Sequence, residues 1–158
     1  MARIPEKSPR FRTKERLSQD VSAILSSPDL SYGTKHVVLA DSVWVWSEFF
    51  GKYAGCPFWS VAAREASSIK ELCHEHVVPK RYIIQRLLAL SPPTPEDVHR
   101  ILSTYCIGAV VTRDEDRQIT QAGFRSSMPD EWDTIEIWIR YRLSGIQMEE
   151  RAESGPRE

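Results

Sequence analysis

Ile107-Gly108-Ala109-Val110-Val111-Thr112-Arg113-Asp114-Glu115 decides the fold class, because one kind of element gives way to another within it. Ile107 to Val111 is short, apolar and partly β-branched, which predicts a buried strand. Thr112-Arg113-Asp114-Glu115 then has the form of a capping box, opening a helix that Gly123 closes. The acids Asp114, Glu115 and Asp116 are what the positive end of a helix favours in its first turn, so they need no ligand to explain them.

Working outward from this junction, the chain reads as helices. Upstream, Thr94-Pro95-Glu96-Asp97 combines a capping threonine, proline at the first helical position and an early acid, and Val98, Ile101, Leu102 and Tyr105 repeat at helical spacing. Pro79 suits the start of another helix that buries Ile83, Ile84, Leu87 and Leu88 and stops at Pro92 and Pro93. Ser60 is placed to cap a helix with Ala62, Ala66, Ile69 and Leu72 or Cys73 inward. Thr34 is placed to cap a longer one through about Tyr53, apolar nearly all round. Lys14 to Ser26 carries Leu17, Val21, Ile24 and Leu25 on one face and ends before Pro28. Downstream, Ile135, Ile137, Ile139, Tyr141 and Leu143 alternate as in a strand, whereas Asp133 and Gly145 look like helix ends; we expect a helix over 134–144.

The resulting expectation is a mainly α protein of the α+β class, with one or two short strands in a compact helical single domain over 14–148. An extended, flexible basic arm over 1–13 and a disordered tail over 149–158 complete the reading. The chain of 158 residues is 41% hydrophobic and has five Trp, enough to bury one core. Its 21 Lys and Arg nearly balance 22 Asp and Glu, so overall charge makes no case for wrapping nucleic acid or lying on an anionic membrane. No apolar run reaches a membrane span and the N-terminal residues lack the apolar region of a secretory signal, so a cytoplasmic protein is expected. Cys56, Cys73 and Cys106 are three scattered cysteines without a CxxC pair, as in a protein with reduced thiols. The chain has no internal repeat.

Chemistry-bearing residue types concentrate in Cys73-His74-Glu75-His76-Val77-Val78-Pro79, which holds half of the four histidines. Within it, Glu75-His76-Val77-Val78-Pro79 resembles the first strand motif of HNH endonucleases. The resemblance implies Glu75 as a ligand to a divalent metal and His76 as the general base that activates water. A neutral imidazole can accept that proton, and a metal offsets charge on the phosphate. The chain departs from the family in having no asparagine, and its one later histidine, His99, lies inside the Thr94 helix.

A zinc site is the other metal reading. An extended segment puts His74 and His76 on one face, where Cys73, with His99 or Cys106, would have to join them. Against both stands the alternative that these side chains hydrogen-bond at a junction of elements. We favour no cofactor and no catalytic residue, with a divalent metal at Glu75, His74, His76 and His99 as the alternative.

A longer pattern is similar to a group of small bacterial proteins associated with mobile elements. It comprises Trp59-Ser60, His74 to Pro79, Val111-Thr112 with Glu115-Asp116, Gly123, Met128-Pro129, Arg140-Tyr141 and Gly145-Ile146. A mobile-element setting implies a defence inhibitor such as an anti-CRISPR protein. With no cofactor motif, no phosphate loop and an incomplete catalytic set, the chain reads as a binding protein that blocks a bacterial protein or ribonucleoprotein complex. The alternative is a divergent HNH-like nuclease centred on Glu75 and His76. Arg3, Lys7, Arg10, Arg12, Lys14 and Arg16 are the candidate partner-binding residues, able to contact nucleic acid or an acidic surface. Trp44 and Trp46 sit two apart in their helix and cannot share one narrow stripe, so Trp44, Trp46 and Phe50 are candidates for a homodimer interface.

Overall fold

The computed structural model describes residues 6–53 and 55–151. It is an α+β fold, with α1 (Lys14–Ser26), α2 (Tyr32–Ser47), β1 (Phe58–Ser60), α3 (Val61–Glu65), β2 (Leu72–His76), α4 (Lys80–Leu88), α5 (Pro95–Tyr105), β3 (Gly108–Thr112), α6 (Arg113–Gln121), α7 (Ile139–Leu143) and β4 (Met148–Glu150) in chain order. The strands form a mixed sheet in the order β2-β3-β1-β4, with β1 parallel to β3 and the outer pairs antiparallel.

Local chemistry accounts for most element starts. Thr13, Ser31, Ser60, Thr94 and Thr112 each cap a helix by accepting from a backbone N–H inside it. At α6 the capping box is complete, because the Glu115 carboxylate also accepts from the Thr112 N–H at 2.8 Å. Gly123 then takes φ +85°, which a residue with a Cβ adopts only under strain, and the helix ends there.

Leu17, Val21, Leu39, Val43, Trp46, Ile83, Ile84, Leu87, Val98 and Leu102 bring α1, α2, α4 and α5 together around the main core. A second cluster of Val77, Ala109, Val111, Ile119, Tyr141 and Ile146 packs α6 and α7 on one face of the sheet. Leu72, Val110, Cys56 and Ala63 fill the opposite face. Among the described residues no helix is long and apolar enough to cross a membrane.

Several expectations need correction. The Thr34 helix is capped one turn earlier, by Ser31, and ends at Ser47 instead of running to Tyr53. The Ser60 helix stops at Glu65 and is followed by a separate turn over Ile69–Glu71. Only Ile139–Leu143 of the expected 134–144 helix is helical, since Thr134 has φ 71°, outside any helix. The tail assigned from Glu149 begins too early: Glu149 and Glu150 are paired in register with Trp59 and Phe58. The remainder of that tail, 152–158, lies outside the described residues.

The free basic arm is not borne out over its described part. Phe11 packs against Phe49 with ring centroids 5.9 Å apart, Arg10 meets Asp41 at 3.2 Å, and Arg12 meets Asp20 at 3.3 Å. An aromatic anchor and two ion pairs hold the segment along α1 and α2.

Candidate functional site

The His74-Glu75-His76 segment is β2, and the alternation of a strand sends its side chains to opposite faces of the sheet. His74 and His76 point with Leu72 towards α2. Glu75 points with Cys73 towards α6 and α7.

On the α2 side the Trp44 indole covers both imidazoles, with centroid distances of 6.0 Å to His74 and 4.2 Å to His76. His76 Nε2 lies 2.8 Å from Ser47 Oγ. Burial pushes the His76 pKa down to about 3, with neighbouring His74 and Lys80 adding to the effect, so the ring is neutral. Ser47 Oγ–H therefore has an imidazole nitrogen able to accept it.

His74 differs. Its side chain is fully buried, and neither ring nitrogen has a hydrogen-bond partner among the described residues. Glu48 Oε1 stands 3.8 Å from Nδ1, beyond hydrogen-bond range, and burial holds the His74 pKa at about 4, so the contact is no ion pair at neutral pH. The ring fits because residue 108 on the neighbouring strand is glycine: a Cβ there would stand 2.4 Å from His74 Nε2. A lone glycine in an apolar strand is the sequence sign of such close approach.

On the other face, Arg140 is fully buried and donates from Nη2 to Glu75 Oε1 at 2.7 Å and to the His76 carbonyl at 2.6 Å. It donates from Nε to the Val77 carbonyl at 3.1 Å and from Nη1 to the Phe124 carbonyl. The Tyr141 hydroxyl donates to Glu75 Oε2. Burial raises the Glu75 pKa while Arg140 and Tyr141 oppose it; burial and the adjacent carboxylate push the Tyr141 phenol well up. Both Glu75 oxygens are thus held by donors from α7. Nearby, Ser60 Oγ donates to Glu115 Oε2 at 2.6 Å, tying the start of α3 to the capping box of α6. Residues of the longer sequence pattern thus form two contacting groups, Ser60 with Thr112 and Glu115, and Glu75 with Arg140 and Tyr141.

The candidate metal ligands are not brought together. Glu75 faces away from His74 and His76, and His99 lies in α5, edge-on to Trp46 at 5.1 Å with Nδ1 3.3 Å from Ser18 Oγ. Among the described residues no group of three His, Cys, Asp or Glu side chains could hold a metal ion. The HNH arrangement likewise separates its metal ligand, Glu75, from its base, His76, by the thickness of the sheet. Cys106 is buried and its thiol is pushed far up, and burial raises the Cys73 thiol too, so neither is an activated nucleophile.

The dimer candidates divide. Trp46 is buried in the main core beneath Lys14, whose Nζ lies 4.7 Å from the ring, and so offers no surface; Trp44 is half-covered by the histidines and Phe50 is 57% exposed. Among the basic candidates, Arg3 lies outside the described residues, Lys7 is exposed, and Arg16 pairs with Asp20 at 2.9 Å beside Arg12. Ser47, Glu48 and Gly108 were not legible as site residues, since their contacts with β2 cross between elements. Comparison with protein-family models, curated proteins and solved structures gives no significant match.

Proposed function

We propose that this protein acts by binding a macromolecular partner, and that it engages a bacterial protein or ribonucleoprotein complex and blocks its action in the manner of an anti-CRISPR inhibitor. The observation behind the binding class is the division of His74-Glu75-His76 between two faces of a strand, with Glu75 and His76 each held by a partner inside the fold. A general base must reach substrate and a metal ligand must share its ion with others. Here Glu75 serves α7, His76 serves α2, and His74 fills the space left by Gly108. The target class rests on the sequence resemblance alone.

The test is a plaque assay in bacteria whose CRISPR–Cas system targets the infecting phage, with the protein expressed from a plasmid. Restored plaquing, together with co-purification of the effector complex, is the expected result. Unchanged immunity across the main effector types, with no effector retained on the tagged protein, overturns the inhibitor reading.

A further inference from the structure

The two edges of the sheet are finished differently. At β2 the outward carbonyl of His76 accepts from buried Arg140 and the outward N–H of Leu72 donates to the Ile69 carbonyl, leaving only His74 between them with both outward groups lacking a partner among the described residues. At β4 the ladder to β1 includes Val61 N–H to the Gln147 carbonyl at 3.0 Å and Arg151 N–H to the Pro57 carbonyl at 2.7 Å. With Ser60 opposite Met148 and Phe58 opposite Glu150, this phase makes both non-hydrogen-bonded pairs. The N–H and C=O groups of Met148 and Glu150 therefore point away from the sheet, with no partner among the described residues.

Beside this edge lies a hollow of about 470 Å3 lined by Phe58, Trp138, Met148 and Glu150, among others. Phe58 and Trp138 meet edge-on at 4.9 Å and supply its apolar wall. Met148 and Glu150, two apart in the strand, share the face that carries the hollow. Glu149 points to the other face, where it is paired with Arg64. Glu150 is exposed and has no ion pair among the described residues.

We infer that the β4 edge takes an extended peptide segment of the partner as a fifth strand, one with an apolar side chain for the Phe58–Trp138 hollow and a basic one two residues away for Glu150. Main-chain groups supply affinity in this mode and alternate side chains supply selectivity. In the register that pairs Met148 with Glu150 of a second copy, self-association is disfavoured. Antiparallel self-pairing through Met148 and Glu150 sets Glu149 opposite its own counterpart, in the pair type where side chains come closest, and like charges there are destabilising. The apolar wall of the hollow and the unpaired Glu150 carboxylate thus call for an occupant that is apolar and basic.

This rests on the binding-protein reading and is tested separately from it. The probe is a labelled octapeptide in which threonine alternates with leucine and lysine, against a control of the same composition with the lysines and leucines in blocks. Fluorescence anisotropy should show saturable binding of the alternating peptide, with slowed amide exchange at Met148 and Glu150. Met148→Pro removes one outward N–H and no bond to β1, so it should weaken binding by about tenfold or more, with some fall in melting temperature because the Met148 side chain also packs on the second core cluster. Glu150→Lys, a surface change that leaves the fold intact, should weaken it as well. No saturable binding, equal binding of the control, or binding unaffected by Glu150→Lys overturns the assignment. A cellular partner captured equally by wild type and both variants overturns the edge assignment alone and leaves the binding-protein reading standing.

Discussion

Gly108 lies so close to the Nε2 end of the His74 ring that a Cβ at position 108 would stand 2.4 Å from Nε2. One residue supplies a buried ring without hydrogen bonds, and the other supplies the space for it. Gly108→Ala should destabilise the protein by about 1 to 3 kcal/mol, the range for overpacking a tight interior. In Gly108→Ala/His74→Ala the clash is absent, so the double variant should lose less than the sum of the two single losses in urea unfolding. Strict additivity would show that the two residues do not meet.

Stability should fall with acid in a window set by the buried histidines. Their native pKa values, about 4 for His74 and about 3 for His76, lie below the ordinary 6.5, so the unfolded chain takes up protons that the folded one refuses. Their contribution is complete above about pH 6.5 and is lost as pH falls towards 4 and 3, with His74 alone accounting for on the order of 3 kcal/mol. Glu75 acts in the opposite sense because its native pKa is raised. The urea midpoint measured from pH 7 to pH 4 should drop steeply in wild type and less in His74→Phe; parallel curves would contradict this.

Arg140→Met should cost about 3 to 5 kcal/mol, since it leaves the Glu75 carboxylate buried without its cation. Arg140→Met/Glu75→Gln, which removes both charges, should recover part of the loss. A melting temperature unchanged in the single variant would argue that α7 is not docked through this arginine.

Purified protein should not cleave plasmid DNA or RNA with magnesium, manganese or zinc. His76→Ala should lower stability by about 1 to 3 kcal/mol, the range for leaving a buried hydrogen-bonding group without its partner. Cleavage by wild type that disappears in His76→Ala would promote the nuclease reading.

Self-association along α2 remains a proposal, with its candidate surface moved. Trp46→Glu would place a charge in the main core and should abolish folding, whereas Tyr32, Val37 and Phe50 are exposed. Light scattering at micromolar concentration should show a dimer that Val37→Glu or Phe50→Glu separates. A wild-type monomer throughout that range removes the idea.

What could be read from the sequence was local. The capping box of α6 and the Pro-Glu-Asp start of α5 act within one turn, and the His-x-His alternation placed two rings on one face without any knowledge of the rest of the chain. β1 and β4 were missed because three residues carry no periodicity and their pairing lies far along the chain. Arg10 and Arg12 looked like free charges because Asp41 approaches Arg10 only once α2 has packed, and Asp20 approaches Arg12 only once α1 has formed. Ser47 and Arg140 were invisible as partners of β2 for the same reason. Gly108 went unread as well, although a lone glycine in an apolar strand is a local sign of close approach.

The position of β1 also orders events during synthesis. Phe58 finds one neighbour at Ala109 and the other at Glu150, so this inner strand must wait for nearly all of the described chain before both its sides are paired. A nascent chain held on the ribosome with Ser144 just emerged should already bury α1 against α5 and pair Phe58 with Ala109, while the outer side of β1 still lacks Met148–Glu150.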